Sequence, residues 1–326
     1  MRLVLSVLAA CLAVSPAVAV PKVIASVVPV HGIVSAVMGD TGQPELLLSG
    51  SMSEHRATFT PQQISDLGKA DVVFIIGRGL EGKLSQISGS EAVNGKRFVE
   101  LSTVPGIVTY PIREGGAWEA HDHDHGHGHD HGHDHDHDHD HGHGHDHGEE
   151  KEGVLSFDPH VWLDPQNAKA MAGAVAAELA KADPANAETY KKNAEAFSAS
   201  LDQLSGQLAT ELAPVKTVPY VVFHDAYQYF EQRFGLSAAG SISDVSANAP
   251  SAKRLREVRA KIKEVKAACV FREPQYDGKM VTTVIEGTNA RQGVLDPLGA
   301  DIKPGPEAYQ QLLTQLSKSL RDCLAG

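Results

Sequence analysis

Histidine alternates with aspartate or glycine over one long stretch of the chain. Every odd-numbered position from 121 to 147 is histidine, and no apolar residue interrupts the run. Such a segment cannot bury enough surface to offset the entropy of ordering a chain. Imidazole nitrogens are ligands for zinc, nickel and copper, so we expect a disordered, metal-binding loop over residues 120–150. A solvated spacer is the alternative, but a spacer needs no histidine at alternate positions. The fourteen candidate ligands of this auxiliary site are His121, His123, His125, His127, His129, His131, His133, His135, His137, His139, His141, His143, His145 and His147.

Three further histidines lie in loops or directly after predicted strands. His55 follows a short strand, His160 lies in the loop 157–165, and His224 ends a strand-like run. If they meet in one cleft, they can supply three imidazoles to a tetrahedral zinc ion whose fourth ligand is oxygen. A lone histidine is more often a hydrogen-bonded structural residue, and this is the only interpretation that we give to His31.

Two carboxylates accompany these histidines, and the residues alone leave their roles open. Glu54 can be a metal ligand or a surface carboxylate. Asp225 can orient the imidazole of His224 as a hydrogen-bond acceptor, or it can cap the helix that follows. We favour the cap for Asp225.

Length and composition indicate two ordinary domains without affinity for nucleic acid. The chain has 326 residues, 42% of them hydrophobic, and a formal net charge of −12. The eight aspartates of the His-rich run, with Glu149 and Glu150, account for ten of those negative charges. The remainder is close to neutral, which argues against a nucleic-acid partner.

The N-terminus has the pattern of a secretory signal peptide over residues 1–19. Arg2 supplies the basic region, residues 3–14 are apolar, and Ala17 and Ala19 fit the cleavage pattern. A lipoprotein signal with Cys11 as the lipidated residue is the alternative, although the apolar region before it is short. No other segment of the sequence is long and apolar enough to cross a membrane.

Cys269 and Cys323 form a disulfide candidate in an oxidising compartment. Cys269 lies in a strand-like run, and Cys323 lies on the apolar stripe of the last helix. The alternative is a pair of buried free thiols.

The chain alternates between strand and helix patterns, which predicts parallel sheets covered on both faces. Ligands of such folds bind at the carboxyl ends of the strands. A helix from Asp183-Pro184 to near Pro214 is long enough to run alongside both domains. We predict strands over 22–28, 45–48, 71–76, 98–101, 220–223, 236–242, 267–272 and 293–295, and helices over 32–38, 60–69, 81–87, 164–181, 183–213, 226–234, 251–265, 279–286 and 307–325.

Four segments together closely resemble the zinc-uptake solute-binding proteins of bacterial ABC transporters, the ZnuA type. They are Ser53-Glu54-His55, Pro159-His160-Val161-Trp162-Leu163, the run from Val222 to Glu231, and Leu295-Asp296-Pro297-Leu298-Gly299. The resemblance covers the mature chain in order, including the acidic His-rich loop and the cysteine pair.

The resemblance implies an α/β protein of two (β/α) domains with parallel sheets, joined by a long rigid backbone helix, with the metal in the inter-domain cleft. We expect a first domain over 20–182, the linking helix over 183–213 and a second domain over 214–326. His55, His160 and His224 become the imidazole ligands. The fourth ligand in relatives corresponds to Glu54, to Asp296 or to water. Manganese-binding relatives carry glutamate at the position of His224, so three imidazoles favour zinc.

The resemblance also implies a periplasmic Zn²⁺-binding protein that delivers its ion to an inner-membrane permease. We expect a monomer that is not an enzyme, with the His-rich loop as an auxiliary low-affinity site that exchanges zinc with other periplasmic carriers. Two alternatives come from other classes: a secreted zinc metallohydrolase with water at the fourth position, and a nickel or copper store that uses only the His-rich loop.

Overall fold

The computed structural model describes residues 20–77, 79–93, 97–114, 118 and 156–326. The predicted signal peptide, Cys11 and the predicted His-rich loop over 120–150 lie outside the described residues. Within the described ranges, we find no helix that combines the length and the apolar composition of a membrane span.

A four-stranded parallel sheet forms the centre of the first domain. Its strands are β1 (Val23–Ala25), β2 (Glu45–Leu46), β3 (Val72–Ile75) and β4 (Arg97–Glu100), in the order β2-β1-β3-β4. Every residue of β1 and β3 is buried, as expected for central parallel strands that are covered on both faces. The helices of this part of the chain are α1 (Val28–Met38), α2 (Pro61–Leu67), α3 (Gly82–Ser88) and α4 (Pro165–Ala182).

Two helices begin at residues whose side chains cap them. The Thr60 hydroxyl accepts a hydrogen bond from the backbone N–H of Gln63, whose side-chain oxygen accepts one from the Thr60 backbone N–H. This reciprocal pair is a capping box, and a proline follows it at the first helical position. Asp164 caps α4 in a similar way, since its carboxylate accepts from the backbone N–H of Gln166.

A helix of 26 residues, α5 (Ala187–Leu212), follows the first domain. At 1.5 Å per residue it is about 39 Å long. The sequence places its start at Asp183-Pro184, but residues Pro184–Asn186 form a single 3-10 turn before it. Asp183 holds this turn, because its carboxylate accepts hydrogen bonds from the Asn186 side chain and the Tyr190 hydroxyl.

The second domain has a three-stranded parallel sheet. Its strands are β5 (Tyr220–Val221), β6 (Cys269–Arg272) and β7 (Arg291–Val294), in the order β5-β6-β7. A disulfide joins Cys269 in β6 to Cys323, which confirms the predicted pair. The helices are α6 (Gln228–Phe234), α7 (Ala252–Val265), α8 (Lys279–Ile285) and α9 (Ala308–Leu324), so Cys323 lies in the last of them.

The predicted strand over 236–242 is wrong. Only an isolated parallel bridge between Ser241 and Val222 forms there among the described residues. The segment contains Ala238, Ala239 and Gly240, which offer little or no side-chain surface to pack on a sheet. The segment nevertheless lies beside β5 at the edge of the second sheet, as β2 lies beside β1 at the edge of the first sheet.

The two domains share a hydrophobic core and several hydrogen bonds. Helix α5 packs against α1 and α4 and also against α9, and α1 itself packs against α9. The fully buried Trp162 donates its indole N–H to the carbonyl of Pro297 at 2.9 Å. The Tyr309 hydroxyl donates to the carbonyl of Trp162 at 2.6 Å. The architecture is therefore two α/β domains joined by a backbone helix, as the sequence predicts.

Candidate metal centre

Three loops at the facing ends of the two sheets carry the predicted ligands. Glu54 and His55 lie between β2 and α2, where the chain has no regular secondary structure. His160 lies directly before the 3-10 turn Val161–Leu163 that leads into α4. His224 follows the strand-like run of β5. These positions are the carboxyl-end loops in which α/β folds place their ligands.

Four of the predicted ligands form one compact group. One ligand atom from each of Glu54, His55, His160 and His224 lies within 4.8 Å of all the others. The Nε2 atoms of His160 and His224 are 3.2 Å apart. The Glu54 Oε1 atom is 3.7 Å from the His55 Nε2 atom and 3.9 Å from the His160 Nε2 atom. Tetrahedral zinc with bonds of about 2.0–2.1 Å separates its ligand atoms by about 3.3 Å, so the group is close to that size.

Polar atoms of this group are buried without hydrogen-bond partners. The Glu54 Oε1 and His55 Nε2 atoms have none within the part of the chain that the structure describes. Glu54 is 2% exposed, and His160 and His224 are fully buried. Leaving buried polar atoms unpaired is unfavourable, so these atoms indicate a ligand in the space between them. Three imidazole nitrogens and one carboxylate oxygen are a donor set that suits zinc.

Two carboxylates contact the Nδ1 atoms of His160 and His224. The Nδ1 atom of His160 lies 2.7 Å from Asp158 Oδ1, and the Nδ1 atom of His224 lies 2.7 Å from Glu273 Oε2. The Tyr227 hydroxyl lies 2.9 Å from Glu273 Oε1. A carboxylate at Nδ1 holds the proton there, which leaves the Nε2 lone pair directed at the centre.

Sequence reasoning missed both of these carboxylates. Asp158 is two residues before His160, within the loop that the sequence singles out. Glu273 directly follows β6, and the carboxyl-end rule that selected His224 applies to it as well.

The histidines differ in their affinity for protons. Burial, followed by the charge of neighbouring groups, lowers the pKa of His55 and of His160 well below the usual value. Burial also lowers the pKa of His224, but the charge and hydrogen bond of Glu273 outweigh it and raise that pKa to about 9. Burial raises the pKa of Glu54 to about 7. A cation at this centre therefore competes mainly with protons on His224 and Glu54.

Asp225 does not cap the following helix, so that prediction is wrong. Helix α6 begins at Gln228, and its N-cap residue, Tyr227, makes no side-chain capping bond. Instead the Arg113 guanidinium donates to the carboxylate of Asp225 and, at 2.6 Å, to that of Glu231. Arg113, more than 100 residues away in the sequence, thus pairs with Asp225 and Glu231 beside His224, which residue spacing could not indicate.

Asp296 and His31 lie outside the four-residue group. The carboxylate of Asp296 accepts hydrogen bonds from the backbone N–H groups of Leu298, Gly299 and Ala300, and from the Gln275 side chain. These bonds stabilise the turn after β7. His31 lies inside α1, where its ring contacts the Pro44 carbonyl and the Ser35 hydroxyl. It is a structural residue, as the sequence predicts.

Comparisons with known proteins agree on one family. Residues 23–323 match the family model described as zinc-uptake complex component A, periplasmic. The high-affinity zinc uptake system protein ZnuA of Brucella suis is 48% identical over 306 residues, which cover 93% of this chain and 91% of that protein. The protein of the same name from Paracoccus denitrificans is 41% identical over 308 residues, 94% of this chain and 93% of that protein.

Solved structures share the fold. A crystal structure of ZnuA has a TM-score of 0.73 at 23% identity, covering 94% of this chain and 100% of that chain. A Zn(II)-bound mutant variant of AdcAII from Streptococcus pneumoniae has a TM-score of 0.70 at 23% identity, covering 92% and 98%. The family match spans nearly the whole chain, and the curated relatives are matched over nearly their full length. The chain therefore belongs to the ZnuA family, the periplasmic A components of zinc-uptake complexes.

Proposed function

We propose that the protein captures Zn²⁺ in the periplasm with His55, His160, His224 and Glu54 and delivers the ion to an inner-membrane ABC permease. The observation that carries this proposal is the convergence of four ligand atoms within 4.8 Å, two of them buried and unpaired. The relatives named as high-affinity zinc uptake proteins support the choice of metal. Manganese prefers more oxygen ligands than this group offers.

The finer parts of the proposal concern compartment and assembly. The family is periplasmic, which agrees with a signal peptide that is cleaved after Ala19. We propose that the mature protein acts as a monomer and that the permease is its main partner.

The His-rich run has a separate role in this proposal. Its fourteen histidines form an auxiliary, low-affinity zinc site that supplies the cleft or accepts zinc from other periplasmic carriers. Deletion of residues 121–147 should lower the total number of zinc ions bound and leave the tightest site intact. Loss of the tightest site on deletion would contradict this division.

A zinc titration of the full mature chain tests the main proposal. A competing chelator masks weak sites, so that only the tight site is counted. The parent should retain one zinc ion per chain, and the triple variant His55→Ala/His160→Ala/His224→Ala should retain none. A tight site that survives in the triple variant would refute the proposal and would leave a store that uses only the His-rich run.

A matched pair of variants tests the fourth ligand. Glu54→Gln removes the charged oxygen that faces the imidazoles and should weaken zinc binding at least about tenfold. Asp296→Asn keeps an oxygen that can accept the backbone hydrogen bonds of its turn, and it should retain the tight zinc site. If Asp296→Asn weakened zinc binding more than Glu54→Gln did, Asp296 would be the fourth ligand.

The metallohydrolase alternative has no support. Members of the family are binding proteins of transport systems and not enzymes. A hydrolytic site also needs an open position for water at the metal. In the proposed site Glu54 supplies the fourth ligand, which leaves no open position for water.

A further inference from the structure

Two of the four ligands lie on a segment that the second domain holds in place. Glu54 and His55 belong to residues 50–56, which we call the ligand segment. It has no strand or helix, and its internal backbone hydrogen bonds include a turn between Arg56 N–H and the Ser53 carbonyl. Its position therefore depends on what it touches.

The first contact of the ligand segment is at Gly50. The Gln275 side chain donates to the Gly50 carbonyl at 2.6 Å. A Cβ atom at Gly50 would lie 2.5 Å from the carbonyl oxygen of Gly299 and 2.8 Å from the Cα atom of Ala300. Only glycine permits this close approach of two backbones, so one end of the ligand segment packs directly against the backbone of the second domain.

Two further contacts flank the ligands themselves. The Ser53 and Tyr276 hydroxyl oxygens are 2.8 Å apart. The Arg56 guanidinium donates to the carbonyl of Ala247 at 2.7 Å. Glu54 and His55 lie between these attachments. Both partners belong to the second domain, which also supplies His224.

Contacts within the second domain fix the positions of Tyr276 and Ala247. The ring of Tyr276 packs on Phe223, with centroids 4.8 Å apart, and lies 6.1 Å from the ring of His224. Ala247 has a φ of 53°, which is unusual for a residue with a Cβ atom. Asp244 holds this turn, because its carboxylate accepts from the backbone N–H groups of Ser246 and Asn248. Strain of this kind persists only where surrounding contacts maintain it.

We propose that the Ser53–Tyr276 and Arg56–Ala247 contacts set the rate at which zinc leaves the centre. This inference rests on the proposed zinc-binding function. Glu54 and His55 arrive on the ligand segment, whereas His160 and His224 are fixed by buried carboxylates. The ion is released when the ligand segment moves away from the other two ligands. That movement must break both contacts, so Ser53, Tyr276 and Arg56 are positioning residues.

Dissociation kinetics of the full chain test the proposal. The protein is loaded with half an equivalent of Zn²⁺, so that the tight site fills first, and release into excess chelator is followed by stopped flow. Ser53→Ala and Tyr276→Phe should each speed release about fivefold, the effect of one hydrogen bond of about 1 kcal/mol. Arg56→Gln should have a similar effect. The association rate should stay within about twofold of the parent, because variants of one binding site differ mostly in their release rates.

A double-mutant cycle separates this role from general destabilisation. Ser53→Ala/Tyr276→Phe should release zinc no faster than the single variants, because both changes remove the same hydroxyl pair. Adding Arg56→Gln to this double variant should increase the zinc release rate further, because its contact with Ala247 is a separate one. Arg259→Gln is the control, since it removes an arginine–carbonyl hydrogen bond to Thr283 within the second domain. It should release zinc at the parental rate.

The outcomes distinguish the two proposals. A parent that retains no zinc ion in the competition titration described above contradicts the proposed function. A parent that retains one zinc ion there, with variants that release zinc at the parental rate in stopped flow, contradicts the positioning role alone. The positioning role would also be contradicted if Ser53→Ala and Tyr276→Phe multiplied each other's effect on the release rate. An association rate that changed as much as the release rate would contradict it too.

Discussion

At the scale of single residues, the two carboxylates behind the histidines have different effects. Glu273 raises the pKa of His224 to about 9, so this imidazole carries a proton at neutral pH before metal binds. His160 also faces a carboxylate, but its pKa is lowered well below the usual value by burial. The pKa of its partner Asp158 is itself raised to about 7, mainly by burial. The centre therefore combines one imidazole that must lose a proton with two that bind metal directly.

Glu273 should contribute strongly to zinc affinity without being a ligand. Glu273→Gln removes the charge that makes His224 basic and fixes its ring, and we expect zinc affinity to fall about 10–100-fold. The stoichiometry of the tight site should stay at one. Competition titration with a chelator measures both quantities. Asp277→Asn is the matched control, because its side chain is 62% exposed and pairs with Lys279. Equal affinities for the Glu273 variant and the control would contradict the prediction.

Zinc affinity should rise with pH well above the range of an ordinary histidine. With His224 at a pKa of about 9 and Glu54 at about 7, these two ligands together hold about one proton at pH 8 and about two at pH 6 before metal binds. Each displaced proton makes apparent affinity change about tenfold per pH unit. We expect a loss of about tenfold from pH 8 to 7 and a steeper loss from pH 7 to 6. Calorimetry in two buffers of different ionisation enthalpy counts the released protons. Constant affinity over this range, or binding without proton release, would be the contrary result.

At the scale of elements, the sequence predicts the order of strands and helices better than their ends. The predicted strands β1, β3 and β6 are apolar runs, and tertiary packing has little freedom to change them. The prediction for 236–242 fails, because the small residues 238–240 offer little surface to pack on a sheet and only one bridge forms there among the described residues. The three histidines that meet at the centre could be predicted, since each follows a strand or lies in a marked loop. The pairing of Arg113 with Asp225 and Glu231 could not, because it depends on how distant loops pack. The domain boundaries at 182 and 213 stay a prediction.

The disulfide should contribute much of the stability of the second domain. It joins β6 to α9 across 54 residues, and in the chain-entropy model closing such a loop stabilises the fold by about 4 kcal/mol. We expect Cys269→Ala/Cys323→Ala to lower the free energy of unfolding by about that amount, measured by denaturant titration of the metal-free protein. The parent under reducing conditions should behave like the double variant. Two unfolding curves with the same midpoint would show that the bond adds little.

At the scale of the whole molecule, several features oppose a large movement between domains. Helix α5 packs against helices of both domains, and α1 lies between the first sheet and α9. Hydrogen bonds link Trp162 to Pro297 and Tyr309 to Trp162 in the interior. A hinge motion would have to separate these buried groups. Movement of a loop such as residues 50–56 breaks only the contacts at its own surface.

Zinc binding should therefore leave the distance between the domains almost unchanged. Spin labels at Lys83→Cys in α3 and Lys263→Cys in α7 report that distance, because both positions are exposed and the two cysteines among the described residues, Cys269 and Cys323, are paired. Pulsed electron paramagnetic resonance should show that the distance between the labels changes by less than about 2 Å on addition of zinc. Changes of that size are typical of binding without domain rearrangement. The same labels in the His55→Ala/His160→Ala/His224→Ala chain control for zinc effects outside the cleft. A larger shift that is absent from this control would show that the domains close on the ion, and that the backbone helix bends more easily than its packing implies.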